Sequence, residues 1–195
     1  PSSYDGVMLQ GFYWDSFKDT RWVKLQKQAP DFNGYFSLVW LPQSGKTNGS
    51  LSMGYDPYYF FNQNSSFGTA DELRSLIKTF RTNNIGAIAD VVINHHQTNG
   101  WWNFPSETYG TETYQLQTTD IVANDDAHNA GYTTAAQAQR DGITLSSNND
   151  EGEDFSGMRD LDHKSANVQR IVKAYEHFLV NDLGYIGFRY DMVKG

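Results

Sequence analysis

The sequence contains no cysteine. That excludes disulfides, thiolate zinc centres and cysteine nucleophiles, and leaves the redox compartment undetermined. No uninterrupted apolar run approaches the ~20 residues needed to span a bilayer, so the expectation is a soluble chain with no membrane partner. Basic residues are scarce: 15 Lys+Arg stand against 23 Asp+Glu, giving a formal charge of -8 with no Lys/Arg cluster, so the expectation is that nucleic acid is not a partner. The chain begins at Pro1 rather than Met, which suggests a processed or trimmed N-terminus. What is abundant is aromatic: 15% of the 195 residues, many in polar, loop-like sequence, as suits a surface that meets sugar rings.

Read in order, Val7 to Trp14 is an apolar run of strand length in which Gly11 hints at close backbone approach. Apolar residues near helical spacing predict a helix from Trp22 to Ala29, stopped by Pro30. Tyr35 to Leu41 reads as a strand buried on both faces, and Gln43 to Gly68 as a long loop. Thr69 and Glu72 form a capping box, and Leu73, Leu76, Ile77 and Phe80 then give a helix over 69–84. Gly86 to Ile93 is a further buried strand with a polar exit at Asn94-His95-His96. From Gln97 to about Asp162 periodicity is lost, which predicts an inserted subdomain of short strands and turns. A helix returns at Ser165 as N-cap and ends at Leu183-Gly184; a strand of alternating faces follows, with Gly187, Arg189 and Asp191 on one and Phe188, Tyr190 and Met192 on the other. Strands alternating with helices imply a parallel sheet with right-handed crossovers, whose chemistry gathers at the strand C-termini.

Three groups of residues bear on chemistry. Arg189 beside Asp191 would keep a nucleophilic carboxylate ionised, or would form a structural ion pair. Asp90, on the strand before, would lie within reach of Arg189, and His95 would either donate to a substrate hydroxyl or cap the strand. The acidic run Asp150-Glu151-Gly152-Glu153-Asp154 with Arg159-Asp160-Leu161-Asp162 suits a hard cation such as calcium, or is a solvated loop. Trp14, Tyr55, Trp101 and Trp102 are candidate sugar platforms or core residues.

Asp90-Val-Val-Ile-Asn-His95 and Gly187-Phe-Arg-Tyr-Asp191-Met-Val-Lys-Gly195 resemble two signature regions of the α-amylase family of glycoside hydrolases. Gly34 to Pro42 and Arg159 to Asp162 resemble further family motifs, in the family's order, and Val7 to Trp14 with the terminal Lys194-Gly195 resembles the plant and related bacterial α-amylases in particular. The resemblance implies an α/β fold: the N-terminal half, four strands, of a (β/α)8 TIM barrel with a B-domain insertion after strand 3. It divides the chain into barrel over 1–96, inserted domain over 97–162, and barrel again over 163–195. It implies retaining endo-hydrolysis of α-1,4-glucosidic bonds in starch-like glucans, with Asp191 as nucleophile and Arg189 beside it. Asp90, His95, Tyr55, Trp14 and Lys194 would bind substrate. Asn94, Asp150, Glu153, Asp160 and Gly195 would hold Ca2+, the last through its carbonyl. Arg159 stands where the family usually has proline. The family's general acid follows a fifth strand, so a chain of four strands is expected to be inactive alone, and the full-length parent is expected to be a secreted or periplasmic monomer. The alternatives are a transglycosylase or isomerase of the same family and a non-catalytic glycan-binding relative.

Overall fold

The computed structural model describes residues 4–129, 131–152 and 155–194. Four parallel strands lie side by side: β1 (Met8–Gln10), β2 (Leu38–Trp40), β3 (Gly86–Val91) and, last in the chain, a strand over Gly187–Tyr190. Helix α1 (Trp22–Phe32) joins the first pair and α2 (Ala70–Thr82) the second. This is the strand order at the start of a (β/α)8 barrel.

Within β1 and β2 the regular spans are shorter than the apolar runs that produce them. Tyr35 is 76% exposed and belongs to the turn after α1, its N–H bonded to the Phe32 carbonyl at 3.0 Å. Gly11 does sit against backbone: a Cβ there would lie 2.9 Å from Val39 Cγ1 and 3.2 Å from the Trp40 carbonyl. Helix α1 passes through Pro30 rather than stopping before it. Proline forfeits only its own N–H bond, and the ladder resumes where Asn33 N–H reaches the Ala29 carbonyl at 3.3 Å. Trp22, fully buried, roots α1 by donating its backbone N–H to the Phe67 carbonyl at 2.9 Å. Helix α2 begins as its sequence dictates, with the Thr69 hydroxyl accepting the Glu72 N–H and the Glu72 carboxylate accepting the Thr69 N–H. Its buried residues Leu73, Leu76, Ile77 and Phe80 pack beneath the sheet.

After β3 the polar exit becomes a short strand, β4 (His95–His96). The segment that follows holds a hairpin of β5 (Glu107–Tyr109) and β6 (Glu112–Tyr114), a second of β7 (His128–Asn129) and β8 (Tyr132–Thr133), and helix α3 (Thr134–Asp141). It returns through β9 (Arg159–Asp160), antiparallel to β4 with His95 opposite Asp160. Helix α4 (Ala166–Phe178), capped by the Ser165 hydroxyl, widens into a π-helical turn over Leu179–Leu183. Gly184 ends it at φ 93°, a left-handed conformation that glycine adopts without steric cost.

The final strand, β10 (Gly187–Tyr190), pairs with β3 in a register that sets Arg189 beside Asp90 and Tyr190 beside Val91. Its alternation ends at Asp191, because Met192 turns to φ 45°. Among the described residues no helix is long and apolar enough to cross a membrane.

Candidate active site

Strand register builds the centre of the site. Arg189 Nη1 lies 3.1 and 3.3 Å from the two oxygens of Asp90 and 2.8 Å from Asp191 Oδ1, so one guanidinium joins two carboxylates at the C-terminal ends of adjacent parallel strands. The Asp90 side chain is wholly buried, whereas that of Asp191 keeps 16% of its surface exposed. Burial pushes the Asp90 carboxyl above its usual pKa, against the opposing pull of Arg189. Burial also works against the Arg189 charge, but the two carboxylates outweigh it and raise its pKa. The electrostatic division is clear: Asp90 is a fixed counter-ion, and Asp191 is the carboxylate with an open side.

Two aromatic donors complete the Asp90 shell. Tyr55 OH and Trp40 Nε1 each lie 3.2 Å from Asp90 Oδ2. Burial, followed by the Asp90 charge, raises the Tyr55 pKa, keeping the hydroxyl a donor. The Trp40 ring also carries the Arg189 guanidinium 4.8 Å from its centroid. In the sequence Trp40 lies within an apolar run and reads as strand core; in the fold its indole meets both Asp90 and Arg189. Trp14, 70% exposed, stacks on Tyr55 with centroids 6.5 Å apart and planes 15° from parallel.

His95 is placed differently from a residue open to the cleft. It is 1% exposed, its Nε2–H donates to the Tyr55 carbonyl at 2.8 Å, and its ring stacks on Phe155 at 4.1 Å. Asn94 Nδ2 approaches His95 Nδ1 at 3.3 Å, and burial lowers the imidazole pKa; both favour the neutral ring with its proton on Nε2. Here His95 fixes the backbone of Tyr55. Lys194 is exposed beyond β10.

The acidic residues converge in part. Carboxylate oxygens of Asp125, Asp126 and Asp160 lie within 4.8 Å of one another. Burial, reinforced by Asp125, pushes the Asp160 pKa up to about 8. Asp160 Oδ1 and Asp126 Oδ1 are buried with no hydrogen-bond partner, which is the condition of an oxygen awaiting a cation. Asn94 abuts this cluster through its carbonyl, which accepts the Leu161 N–H at 2.9 Å, and Asp150 joins its edge by donating its N–H to Asn124 Oδ1 at 2.7 Å. Asp125 and Asp126 join Asp160 without being among the residues expected to hold a cation, although Asn124-Asp125-Asp126 is itself an acidic run. Glu153 and Gly195, also expected as ligands, lie outside the described residues. Arg159, in the position of the usual proline, is 7% exposed; its Nε donates to the Trp101 carbonyl at 3.0 Å and its guanidinium covers the Trp101 ring at 4.5 Å. Trp101 is therefore in part a structural partner of β9.

Four parallel strands joined by helices, with buried and open carboxylates gathered at their C-terminal ends, are the arrangement of a parallel α/β barrel. The alpha amylase catalytic domain family matches residues 38–195. Alpha-amylase 3, chloroplastic, of Arabidopsis thaliana is 30% identical over 97% of this chain and 20% of its own length. Probable alpha-amylase 2 of the same plant is 26% identical over 97% of this chain and 41% of its own. The fold matches alpha-amylase I of Eisenia fetida with a TM-score of 0.66 at 18% identity, covering 97% of this chain and 38% of that one. An alpha-amylase of Geobacillus thermoleovorans, complexed with acarbose, matches with a TM-score of 0.59 at 18% identity, covering 96% of this chain and 39% of that one. The chain belongs to the alpha-amylase family of glycoside hydrolases and forms the first four strands of its (β/α)8 barrel. It spans a fifth to two fifths of the length of these curated relatives. One relative is named chloroplastic and another, from Escherichia coli, cytoplasmic, so membership in the family fixes no compartment.

Proposed function

We propose that these residues supply the nucleophile and the sugar-binding floor of a retaining, endo-acting α-1,4-glucan hydrolase. The observation that carries this reading is the bridge from Asp90 through Arg189 to Asp191, in which one carboxylate is buried and spoken for and the other shares the same guanidinium but keeps an open side. Asp191 attacks the anomeric carbon and forms the glycosyl-enzyme bond as the bond to the leaving glucan oxygen breaks; water later hydrolyses that intermediate and frees the carboxylate. A second carboxylic acid, placed about 5 to 5.5 Å away, has to protonate that oxygen as it leaves; in this reading it comes from a fifth strand of the barrel. Tyr55 and Trp14 offer flat apolar faces to the sugar beside the nucleophile. Residues 97–162 act as the inserted B domain, closing one side of the cleft.

A bound calcium ion would contribute structure, tying the inserted segment to the barrel. Asp125, Asp126 and Asp160 would hold it, with Asn94 and Asp150 at the margin; the two unpartnered buried oxygens suit a hard, oxygen-seeking ion. Secretion or a periplasmic location is part of the same reading, tested by fractionating the producing cells.

The test is Asp191→Asn in the intact enzyme, assayed on starch. Hydrolysis should fall at least about 10³-fold, the scale of removing a group that acts in the chemical step, while the folded spectrum is kept. Unchanged turnover would remove Asp191 from the reaction. Products with new linkages in place of short oligosaccharides would assign the site to transglycosylation.

A further inference from the structure

Glu107 stands on β5, away from the carboxylate pair, and its side chain accepts three consecutive backbone N–H groups. Phe60 N–H reaches Oε1 at 2.7 Å; Phe61 and Asn62 N–H reach Oε2 at 3.0 and 3.1 Å. Successive amides converging on one carboxylate form a backbone anion cradle, filled here by a side chain. Burial raises the Glu107 pKa while the three amides draw it back.

The cradled segment is the downstream arm of the loop that carries Tyr55. Between the two, each step is pinned in turn: Tyr59 N–H to the Lys46 carbonyl at 2.9 Å, Gln97 N–H to the Pro57 carbonyl at 2.9 Å, and His95 Nε2–H to the Tyr55 carbonyl at 2.8 Å. Phe61 stacks on Tyr109, two residues beyond Glu107 on the same strand, at 5.0 Å with planes 12° apart. A loop of this length has no strand or helix of its own to set its shape. Its shape comes from these ties, and Glu107 satisfies more of its amides than any of the other groups just named.

We propose that Glu107 is a positioning residue for the Tyr55 sugar platform, holding the loop after β2 so that Tyr55 faces the substrate beside Asp191. The inference rests on the glucan reading above. A glutamine in its place has a single acceptor oxygen for three donors, so the loop must shift or leave amides unpaired. Either outcome displaces the ring that binds sugar without touching the nucleophile.

The test compares E107Q, E107D, Y55A and the double variant E107Q/Y55A of the intact enzyme on a maltooligosaccharide. E107Q should raise KM about tenfold, the equivalent of losing one hydrogen bond to a charged group, with kcat changed far less. E107D, which keeps both oxygens on a shorter arm, should recover part of that loss. In the Y55A background E107Q should add nothing, because both changes act on the same ring. Additive effects, or equal losses in kcat and KM, would overturn the proposal and leave Glu107 as a support of general stability. A KM unchanged by Y55A would instead overturn the platform reading on which the proposal stands. Should E107Q fail to fold, the E107D effect on KM, and its disappearance with Y55A, decides the matter.

Discussion

Arg189 shows how one residue's setting decides its role. An Arg-x-Asp pair is ordinarily a structural ion pair, and its chemistry appears only when Asp90 is seen to occupy the same guanidinium at 3.1 Å from the neighbouring strand. Trp40 adds a donor to Asp90 and a face to Arg189, so it stabilises both charges at once. Trp40→Phe keeps most of the ring and removes the donor. Given about 1.5 to 3 kcal/mol for a hydrogen bond to a charged group, kcat/KM on starch should fall by about ten- to a hundredfold. Steady-state kinetics on this variant of the intact enzyme check this, and an unchanged value would reduce Trp40 to packing. The identities of Asp90, Arg189 and Asp191 were legible in the sequence because their spacing is local or motif-borne. Trp40, Asp125 and Asp126 were not, since an indole in an apolar run and two carboxylates in a polar one give no local sign of what they will face.

At the scale of elements, the strand β4 carries the most consequential buried group. His96 packs among Phe60, at 5.0 Å, and Phe104, at 5.5 Å, and its Nδ1–H donates to the Gln97 carbonyl at 2.7 Å. Burial depresses its pKa from 6.5 to about 4. An imidazole that resists protonation only when folded gives full stability above pH 6.5. Between there and about pH 4 the unfolded chain takes up a proton that the folded one refuses, so stability falls as pH falls. The integrated loss is about 3 kcal/mol. Urea denaturation at pH 7 and pH 4.5 should show most of it, and a His96→Gln variant, which retains a donor for the Gln97 carbonyl, should lack that share of the pH slope. Elements with cap signals were legible: the Thr69 box, the Ser165 cap and Gly184 all act as their residue types predict. The passage of α1 through Pro30 was not, because the favourable burial of Trp22, Leu25 and Ala29 outweighs one lost bond near a helix end.

For the whole molecule, two properties follow from how the segments meet. The acidic cluster draws Asp125 and Asp126 from one part of the inserted segment and Asp160 from the strand paired with β4, so an ion there would be a cross-link between distant stretches. Calcium at about a hundred times its dissociation constant should add about 2.7 kcal/mol of stability, read as a rise in Tm that EDTA reverses. No calcium-dependent shift would dismiss the cluster as a site. Among the described residues, β1 and β10 each have one strand neighbour, and Val7, Met8, Ile186 and Val193 around them are 48 to 76% exposed. The 195-residue chain expressed by itself should therefore self-associate, as sedimentation would show; a clean monomer would contradict this.

The sequence by itself determined the alternation of strands and helices, the caps that bound two helices and the residues that form the bridge from Asp90 through Arg189 to Asp191, because periodicity, capping and motif spacing are properties of neighbours along the chain. Tertiary structure alone decided which side of Asp191 stays open, that His95 turns inward to hold the Tyr55 carbonyl, and that Glu107 cradles three amides 45 to 47 positions away. Those outcomes depend on strand register and on the packing of the inserted segment against the barrel. Burial and direction in space settle them, and neither is written in any one stretch of residues.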